Sequence, residues 1–194
     1  MTHIYLCGAH STGKTTLMNN LKSHLRVKFV EEVARNIIHE HGWSSSDFAP
    51  KTNPHNFEIL TAEILQKQIQ LSEEYEHMDT IFERCLDPLV YEELYIGPTT
   101  KTKLYDTPGL EQWIQRMRHA IVFLVFPHPE CAFDDGVRIP PDSQEQERFT
   151  QLLRDKLRLN RIPYDEITML DMKQRVQFVL EKVRQVKPEL IIDV

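Results

Sequence analysis

Two kinds of hydrophobic pattern alternate along the chain. Short, continuous apolar runs are typical of buried strands, and apolar residues that recur every three or four positions are typical of helices packed on one face. The apolar runs predict strands over 4–7, 27–30, 80–84, 121–126 and 164–169. The helical recurrence predicts helices over 14–25, 31–38 (with an end near Gly42), 57–78, 87–96, 108–119, 144–159 and 172–186. Strands that alternate with helices in this way predict an α/β fold with a parallel sheet and right-handed crossovers.

The predicted sheet has a defined functional edge. The run 121–126 is apolar throughout, which is typical of a central strand covered on both faces. Folds of this class bind their ligands beyond the carboxyl ends of the strands. The 194 residues predict a single domain over 1–194, and residues 190–192 are expected to form an edge strand or a docked tail.

The first strand-to-helix turn carries a phosphate-binding pattern. Gly8, Gly13, Lys14 and Thr15 occupy the defining positions of G-x-x-x-x-G-K-[ST]. Glycines allow a tight curl in which successive backbone N–H groups face a phosphate chain, and the helix start adds the positive end of its dipole. We therefore expect ATP to bind at Gly8, Ala9, His10, Ser11, Thr12, Gly13, Lys14, Thr15 and Thr16.

Two of these side chains have expected roles in phosphoryl transfer. Lys14 is predicted to reach the β- and γ-phosphates, and the Thr15 hydroxyl to bind Mg²⁺. His10 is expected to line the acceptor side of the loop. ATP and Mg²⁺ are therefore the predicted cofactors.

Charged residues follow the second and third predicted strands. Glu31 or Glu32 is a candidate base for an acceptor hydroxyl, with a solvated helix start as the alternative. Glu83 is a candidate metal ligand or acceptor-binding group and a third candidate for the base, and Arg84 is a candidate phosphate contact, with a structural ion pair as the alternative. Arg35 is expected to bind an anionic substrate or to pair with Glu31.

Two further residues complete the candidate site. Asp87 is predicted either to bind substrate or to cap the helix that starts beside Pro88. Arg138 lies in the loop 134–141, which we interpret as a lid that brings an arginine over the phosphates. Arg35 and Arg84 together slightly favour an anionic acceptor.

Composition narrows the class of protein. The net charge of −6 argues against a large nucleic-acid-binding surface. The three cysteines are far apart and show no C-x-x-C spacing, so neither a zinc site nor a disulfide framework is indicated. The longest apolar run, 120–127, is too short to span a membrane, and a signal peptide is not expected. These features favour a reducing, cytoplasmic location.

A GTPase is a weaker interpretation. The segment 106–109, D-T-P-G, matches the D-x-x-G element of GTPases, but it follows a polar stretch and not a buried strand. The chain contains no N-K-x-D element for guanine recognition.

Several segments together resemble the AAA_28 family. They are the start H-I-Y-L-C-G-A-H-S-T-G-K-T-T-L, then E-E-V-A-R, F-E-R-C-L-D-P-L-V-Y and D-D-G-V-R, in an order that agrees over about 3–168. The family includes the nicotinamide riboside kinase domain of NadR-type proteins and related P-loop ATPases. The resemblance implies a three-layer P-loop NTPase fold, with a five-stranded parallel sheet of order 2-3-1-4-5 and a lid loop.

The same segments are similar to nucleoside and nucleotide kinases. E-R-C resembles the E-R-S of deoxynucleoside kinases and the D-R of thymidylate kinases, which implies Glu31 or Glu32 as the base, with Glu83 and Arg84 at metal and phosphate. NadR-like members usually carry Asp-Arg at that pair, so the acceptor pocket is expected to differ. The predicted function is an ATP-dependent kinase of a nucleoside or nucleotide-like small molecule.

Alternatives remain open at this stage. One is a kinase of a hydroxymethylated base in DNA, and another is a nucleotide-dependent regulatory ATPase. A homodimer is also left open, because the loop 43–57 is suited either to an interface or to a substrate cover.

Overall fold

The central element of the fold is a five-stranded parallel sheet. The computed structural model describes residues 1–95, 103–128 and 143–192 of the chain. The strands are β1 His3–Cys7, β2 Lys28–Val30, β3 Thr80–Glu83, β4 Ile121–Val125 and β5 Asp165–Ile167. Their spatial order is β2-β3-β1-β4-β5, and every neighbouring pair is parallel. The predicted fold class and strand order are confirmed.

Helices cover both faces of this sheet. The described part of the chain forms α1 Lys14–Leu21, α2 Ala34–His41, α3 Pro54–Glu74, α4 Asp87–Tyr95, α5 Leu110–Met117, α6 Ser143–Leu159 and α7 Met172–Val186. Short 3₁₀ turns lie at Ser45–Phe48, Lys103–Asp106 and Pro188–Leu190. All seven predicted helices are present, and α7 has the predicted bounds.

The largest shifts in helix bounds have local causes. α1 ends at Leu21, four residues earlier than predicted, because Leu25 leaves the helical path and pairs with Ile191 in an antiparallel bridge. The end of the chain therefore docks, with Leu190 and Ile191 buried. α3 begins earlier than predicted, at Pro54, since proline is well suited to the first helical position, where its missing N–H costs nothing.

Alternation along the central strand builds two separate cores. Tyr5 and Cys7 face one side of the sheet, in a cluster with residues of α3 to α6, and the Trp113 indole donates to the Tyr5 hydroxyl at 3.1 Å. Ile4 and Leu6 face the other side, in a cluster with residues of α1 and α7. Each large apolar side chain buried in this way stabilises the fold by about 1.5–3 kcal/mol.

The register brings the chemically important residues to one edge. Leu6 is opposite Glu83, so the loop that follows β1 and the charged end of β3 meet at the carboxyl edge. Among the described helices, none combines the length and apolarity needed to cross a membrane.

Candidate active site

The loop between β1 and α1 has a shape that only glycine permits at two positions. Gly8 has φ +142°, and a Cβ there would lie 2.4 Å from the Val125 carbonyl oxygen, at the end of β4. Gly13 has φ +84° and starts α1. The loop therefore turns closely past the neighbouring strand and leads directly into the helix, as phosphate binding requires.

Two later helices hold this loop. Arg175 of α7 is fully buried; its Nη1 donates to the Thr12 carbonyl at 2.7 Å and its Nε donates to the Met169 carbonyl at 2.7 Å. Gln146 of α6 donates from Nε2 to the His10 carbonyl at 2.8 Å. Because these bonds involve main-chain carbonyls, they fix the backbone that presents the loop N–H groups.

Our sequence analysis missed both of these supporting residues. One signal for Arg175 was available, because it occupies the apolar stripe of α7, four and eight residues before Val179 and Val183. An arginine on a buried stripe needs polar partners. Gln146 offered no comparable signal.

Lys14 lies inside the loop, where its surroundings disfavour the protonated form of its amine. Its Nζ donates to the Ala9 carbonyl at 2.5 Å and to the Thr12 hydroxyl at 3.2 Å. Burial, together with the nearby Arg84 cation, lowers the pKa of Lys14 to about 7. A phosphate chain beside the ammonium would favour its charged form.

Thr15 and Glu83 form a pair of oxygen donors across the sheet edge. The Thr15 hydroxyl donates to Glu83 Oε1 at 2.6 Å, and Glu83 is buried at the end of β3. Hydroxyl and carboxylate oxygens are suitable for Mg²⁺, which commonly takes few protein ligands and completes its shell with water and phosphate oxygens. Within 1–95, 103–128 and 143–192, no cluster of three or more His, Cys, Asp or Glu side chains offers a larger metal site.

The two adjacent glutamates after β2 face different surroundings. Glu31 is 64% exposed and pairs with Lys22 at 3.0 Å. Glu32 is only 8% exposed, and its Oε1 lies 2.6 Å from Arg84 Nε. Of these two adjacent glutamates, Glu32 is the one that lies beside Arg84.

Arg84 is placed between two carboxylates. It has the uncommon φ of +83°, and its Nη1 lies 3.8 Å from Asp87 Oδ2. Burial opposes the charge of Arg84, but the surrounding acidic groups, of which Glu32 has the largest effect, together raise the arginine pKa. Burial raises the pKa of Asp87 to about 6, against the opposing influence of Arg84.

A pocket opens beside these charges. Its cavity volume is about 80 Å³, and it continues into open solvent. The loop and charged groups contribute His10, Glu32, Arg84 and Asp87, and the remaining wall is mostly apolar or aromatic, made by Ala34, Ile38, Phe48, Phe57, Leu60, Thr61, Ile64, Pro88, Tyr91 and Tyr95.

Aromatic rings shape the far end of this pocket. Tyr91 and Tyr95 stack with ring centres 6.1 Å apart, and Phe57 meets Tyr95 edge-on at 5.2 Å. His10 joins the pocket to the loop, since its Nδ1 lies 3.4 Å from the Tyr91 hydroxyl. Phe48 comes from the predicted loop 43–57, so that segment contributes to the pocket wall.

Two other predicted residues and the GTPase-like segment are not part of the described site. Arg35 is exposed on α2 and is not among the described residues that line the pocket. Arg138 lies outside the described residues. Asp106 of the GTPase-like segment ends a 3₁₀ turn and does not follow a strand.

Comparisons with known proteins agree with this architecture. The AAA_28 family profile, described as an AAA domain, matches residues 3–175. No curated protein matches the sequence. A NadR protein in complex with NR shares the fold at a TM-score of 0.71 and 16% identity, over 100% of this chain and 52% of that chain. This chain thus spans about half the length of that NadR chain.

Complete kinases share the fold over nearly their whole length. Deoxyadenosine kinase from M. mycoides matches at a TM-score of 0.66 and 12% identity, over 96% of this chain and 100% of that one. Shikimate kinase from Acinetobacter baumannii matches at 0.55 and 16%, over 96% and 95% of the two chains. At these identities the likeness shows the fold alone.

Proposed function

The chain belongs to the AAA_28 family, and we propose that it is an ATP-dependent kinase that transfers the γ-phosphoryl group to a hydroxyl of a nucleoside-like small molecule. One observation carries this proposal. A preformed phosphate-binding loop meets a separate pocket in which Glu32, a buried carboxylate, lies beside the buried cation Arg84. A hydrolase has no need of a second ligand pocket at that place.

The loop side would bind the nucleotide. Backbone N–H groups from Gly8 to Thr16 would bind the phosphate chain, with Lys14 reaching the β- and γ-phosphates. Thr15 and Glu83 would hold Mg²⁺, which when bound neutralises charge on the phosphates. Arg138 stays our candidate for an additional cation over the γ-phosphate.

The acceptor side would activate a hydroxyl. Glu32 would accept the hydroxyl proton as the hydroxyl oxygen forms its bond to the γ-phosphorus. The bond from that phosphorus to the β–γ bridging oxygen breaks, and ADP leaves with the bridging oxygen. Arg84 would hold the Glu32 carboxylate in place, because the two lie 2.6 Å apart in a buried setting.

The pocket wall supports a nucleoside-like acceptor. Phe57, Tyr91 and Tyr95 offer ring faces and edges against which a flat base can pack. The structural relatives include a NadR protein solved with NR and a deoxyadenosine kinase solved with dCMP, which fits an acceptor of this type.

ADP formation against an acceptor panel tests the proposal. We would supply Mg²⁺ and ATP with nucleosides, nucleoside monophosphates and nicotinamide riboside, and use Lys14→Ala as the control. We expect one acceptor to accelerate ADP formation and the variant to lose at least about 100-fold of that rate, because a cation beside the transferring group is removed. Slow hydrolysis that no acceptor changes would contradict the proposal and favour a regulatory ATPase.

A further inference from the structure

The charged end of the acceptor pocket contains more negative than positive side chains. Glu32, Arg84 and Asp87 line it together, with side-chain exposures of 8%, 4% and 2%. Arg84 already faces both carboxylates, at 2.6 Å from Glu32 and 3.8 Å from Asp87. A ligand that enters here therefore meets Arg84 together with two carboxylates, whose negative charge exceeds its positive charge.

Asp87 has unused hydrogen-bonding capacity. Neither of its carboxylate oxygens has a hydrogen-bond partner of normal geometry among the described residues, although the side chain is almost fully buried. The Cys85 backbone and the Arg84 cation lie close enough to favour its charged form, but they do not satisfy both oxygens. Incomplete hydrogen bonding of a buried carboxylate is costly, and a ligand that supplies an O–H or N–H group would reduce that cost.

The opposite end of the pocket favours a different kind of ligand surface. Phe48, Phe57 and Leu60 are buried there beside the stacked Tyr91 and Tyr95 rings. This wall favours a flat or apolar group and offers little to an ionised one.

We infer that the acceptor carries neither phosphate nor carboxylate, and that it presents two hydrogen-bond donors, a reacting hydroxyl to Glu32 and a second donor to Asp87. Asp87 is then the residue that selects a nucleoside over its monophosphate. The inference rests on the proposed kinase function and names the acceptor class for the same pocket. It reverses the anionic preference suggested by Arg35 and Arg84, because Arg84 is already engaged by two carboxylates.

The first test compares each nucleoside of the panel with its own 5′-monophosphate on the wild-type protein. We expect kcat/KM for the nucleoside to exceed that for the monophosphate by at least about 100-fold, since like charges brought together at a buried site repel strongly. The nucleoside, and not the monophosphate, should also raise the thermal unfolding midpoint of the protein.

The second test uses Asp87→Asn, which keeps the shape and removes one negative charge. We expect kcat/KM for the nucleoside to fall about tenfold or more, because a hydrogen bond to the charged Asp87 carboxylate is weakened. We also expect the ratio of kcat/KM for the nucleoside to kcat/KM for the monophosphate to fall at least about tenfold. Glu93→Gln removes a charge from the same helix outside the pocket lining, and we expect it to leave that preference unchanged.

The outcomes separate the two claims. Acceptor-dependent ADP formation that favours the monophosphate would overturn the inference and leave the kinase proposal intact. An unchanged preference in folded Asp87→Asn would overturn the role of Asp87. If no acceptor stimulates ADP formation, the kinase proposal fails and the inference fails with it. If the variant does not fold, the wild-type rates and thermal shifts decide the acceptor class.

Discussion

The nucleotide side and the acceptor side of this site are built in different ways. The proposed nucleotide side is one continuous stretch, Gly8 to Thr16, whose backbone Arg175 holds through the Thr12 carbonyl. The proposed acceptor side is assembled from side chains that directly follow β2 and β3, from side chains of α2, α3 and α4, and from the segment between α2 and α3. A backbone site recognises what every ATP molecule has in common, so the choice of substrate must lie in the side chains of the other half.

The end of β3 serves both halves. Glu83 contacts Thr15 on the nucleotide side, whereas the next residue, Arg84, contacts Glu32 on the acceptor side. Successive residues of a strand point in opposite directions, and the positive φ of Arg84 then turns the chain toward α4. In the proposed kinase, one strand end would therefore set the distance between the nucleotide and the acceptor.

The strongest test of this division is Glu32→Gln. We expect kcat for phosphoryl transfer to fall by about 10²–10⁴, because the general base is removed while the shape of the side chain is kept. The KM for ATP should change less than about threefold, since Glu32 lies on the acceptor side. Steady-state rates with each substrate varied in turn measure both quantities.

Glu31→Gln is the matched control for this variant. It removes the same charge one residue away, but Glu31 is exposed and paired with Lys22. We expect rates within about twofold of wild type, because exposed ion pairs contribute little. Equal losses in the two variants would contradict the assignment of Glu32 as the base.

The difference between the two sides also explains which parts of the site could be predicted from the sequence. The loop at Gly8 and Lys14 and the helix α7 could be predicted, because the sequence patterns that indicate them lie within a few neighbouring residues. The pocket wall does not. Phe48 and Phe57 show the same apolar pattern as core residues, and only the packing of α2, α3 and α4 makes them part of a pocket.

Long-range contacts account for the other residues that we missed or left undecided. Arg175 reaches Thr12 across 163 positions of the chain, and no local pattern reports such a contact. The choice between Glu31 and Glu32 depends on the direction that each side chain takes after β2, toward Lys22 or toward Arg84. Both residues are glutamates that directly follow the second predicted strand, so residue type and position did not show which of them is the base.

Arg175→Lys tests the support of the nucleotide side. Lysine keeps the charge, but it cannot bond the Thr12 and Met169 carbonyls together as the guanidinium does. We expect the KM for ATP to rise about tenfold, which corresponds to one lost hydrogen bond of a charged donor, with the acceptor KM almost unchanged. A role confined to general stability would lower the unfolding midpoint without this selective change.

Arg184→Lys is the control on the same helix. Arg184 is exposed in the last turn of α7, so the substitution should leave both KM values and the unfolding midpoint unchanged. Equal increases in the two KM values for Arg175→Lys would contradict a role specific to the nucleotide loop.

The smallest expected effect concerns the buried carboxylate of Glu92 in α4 and its influence on the stability of the fold. Glu92 of α4 is 7% exposed, and among the described residues its Oε2 has no hydrogen-bond partner. Unlike Lys14, which lies where the phosphates of ATP are expected, Glu92 does not line the pocket, so its charge can be changed without altering a proposed binding group. Burial raises the pKa of Glu92 to about 7, opposed by Lys156 and reinforced by Glu58. Because the unfolded carboxyl loses its proton at lower pH than the folded one, this group destabilises the fold as the pH rises from about 4.5 to 7.

Glu92→Gln should therefore stabilise the protein in a pH-dependent way. We expect a gain of about 1 kcal/mol at pH 8, a rise of about 2–4 °C in the unfolding midpoint, and less than half of that gain at pH 5. The neighbouring Glu93→Gln breaks an ion pair with Lys156 at 2.5 Å and should give no gain. An equal gain at both pH values would show that ionisation of Glu92 does not destabilise the fold. Kinase rates that Glu92→Gln leaves unchanged would show that this carboxylate acts on the stability of α4 and not on the acceptor.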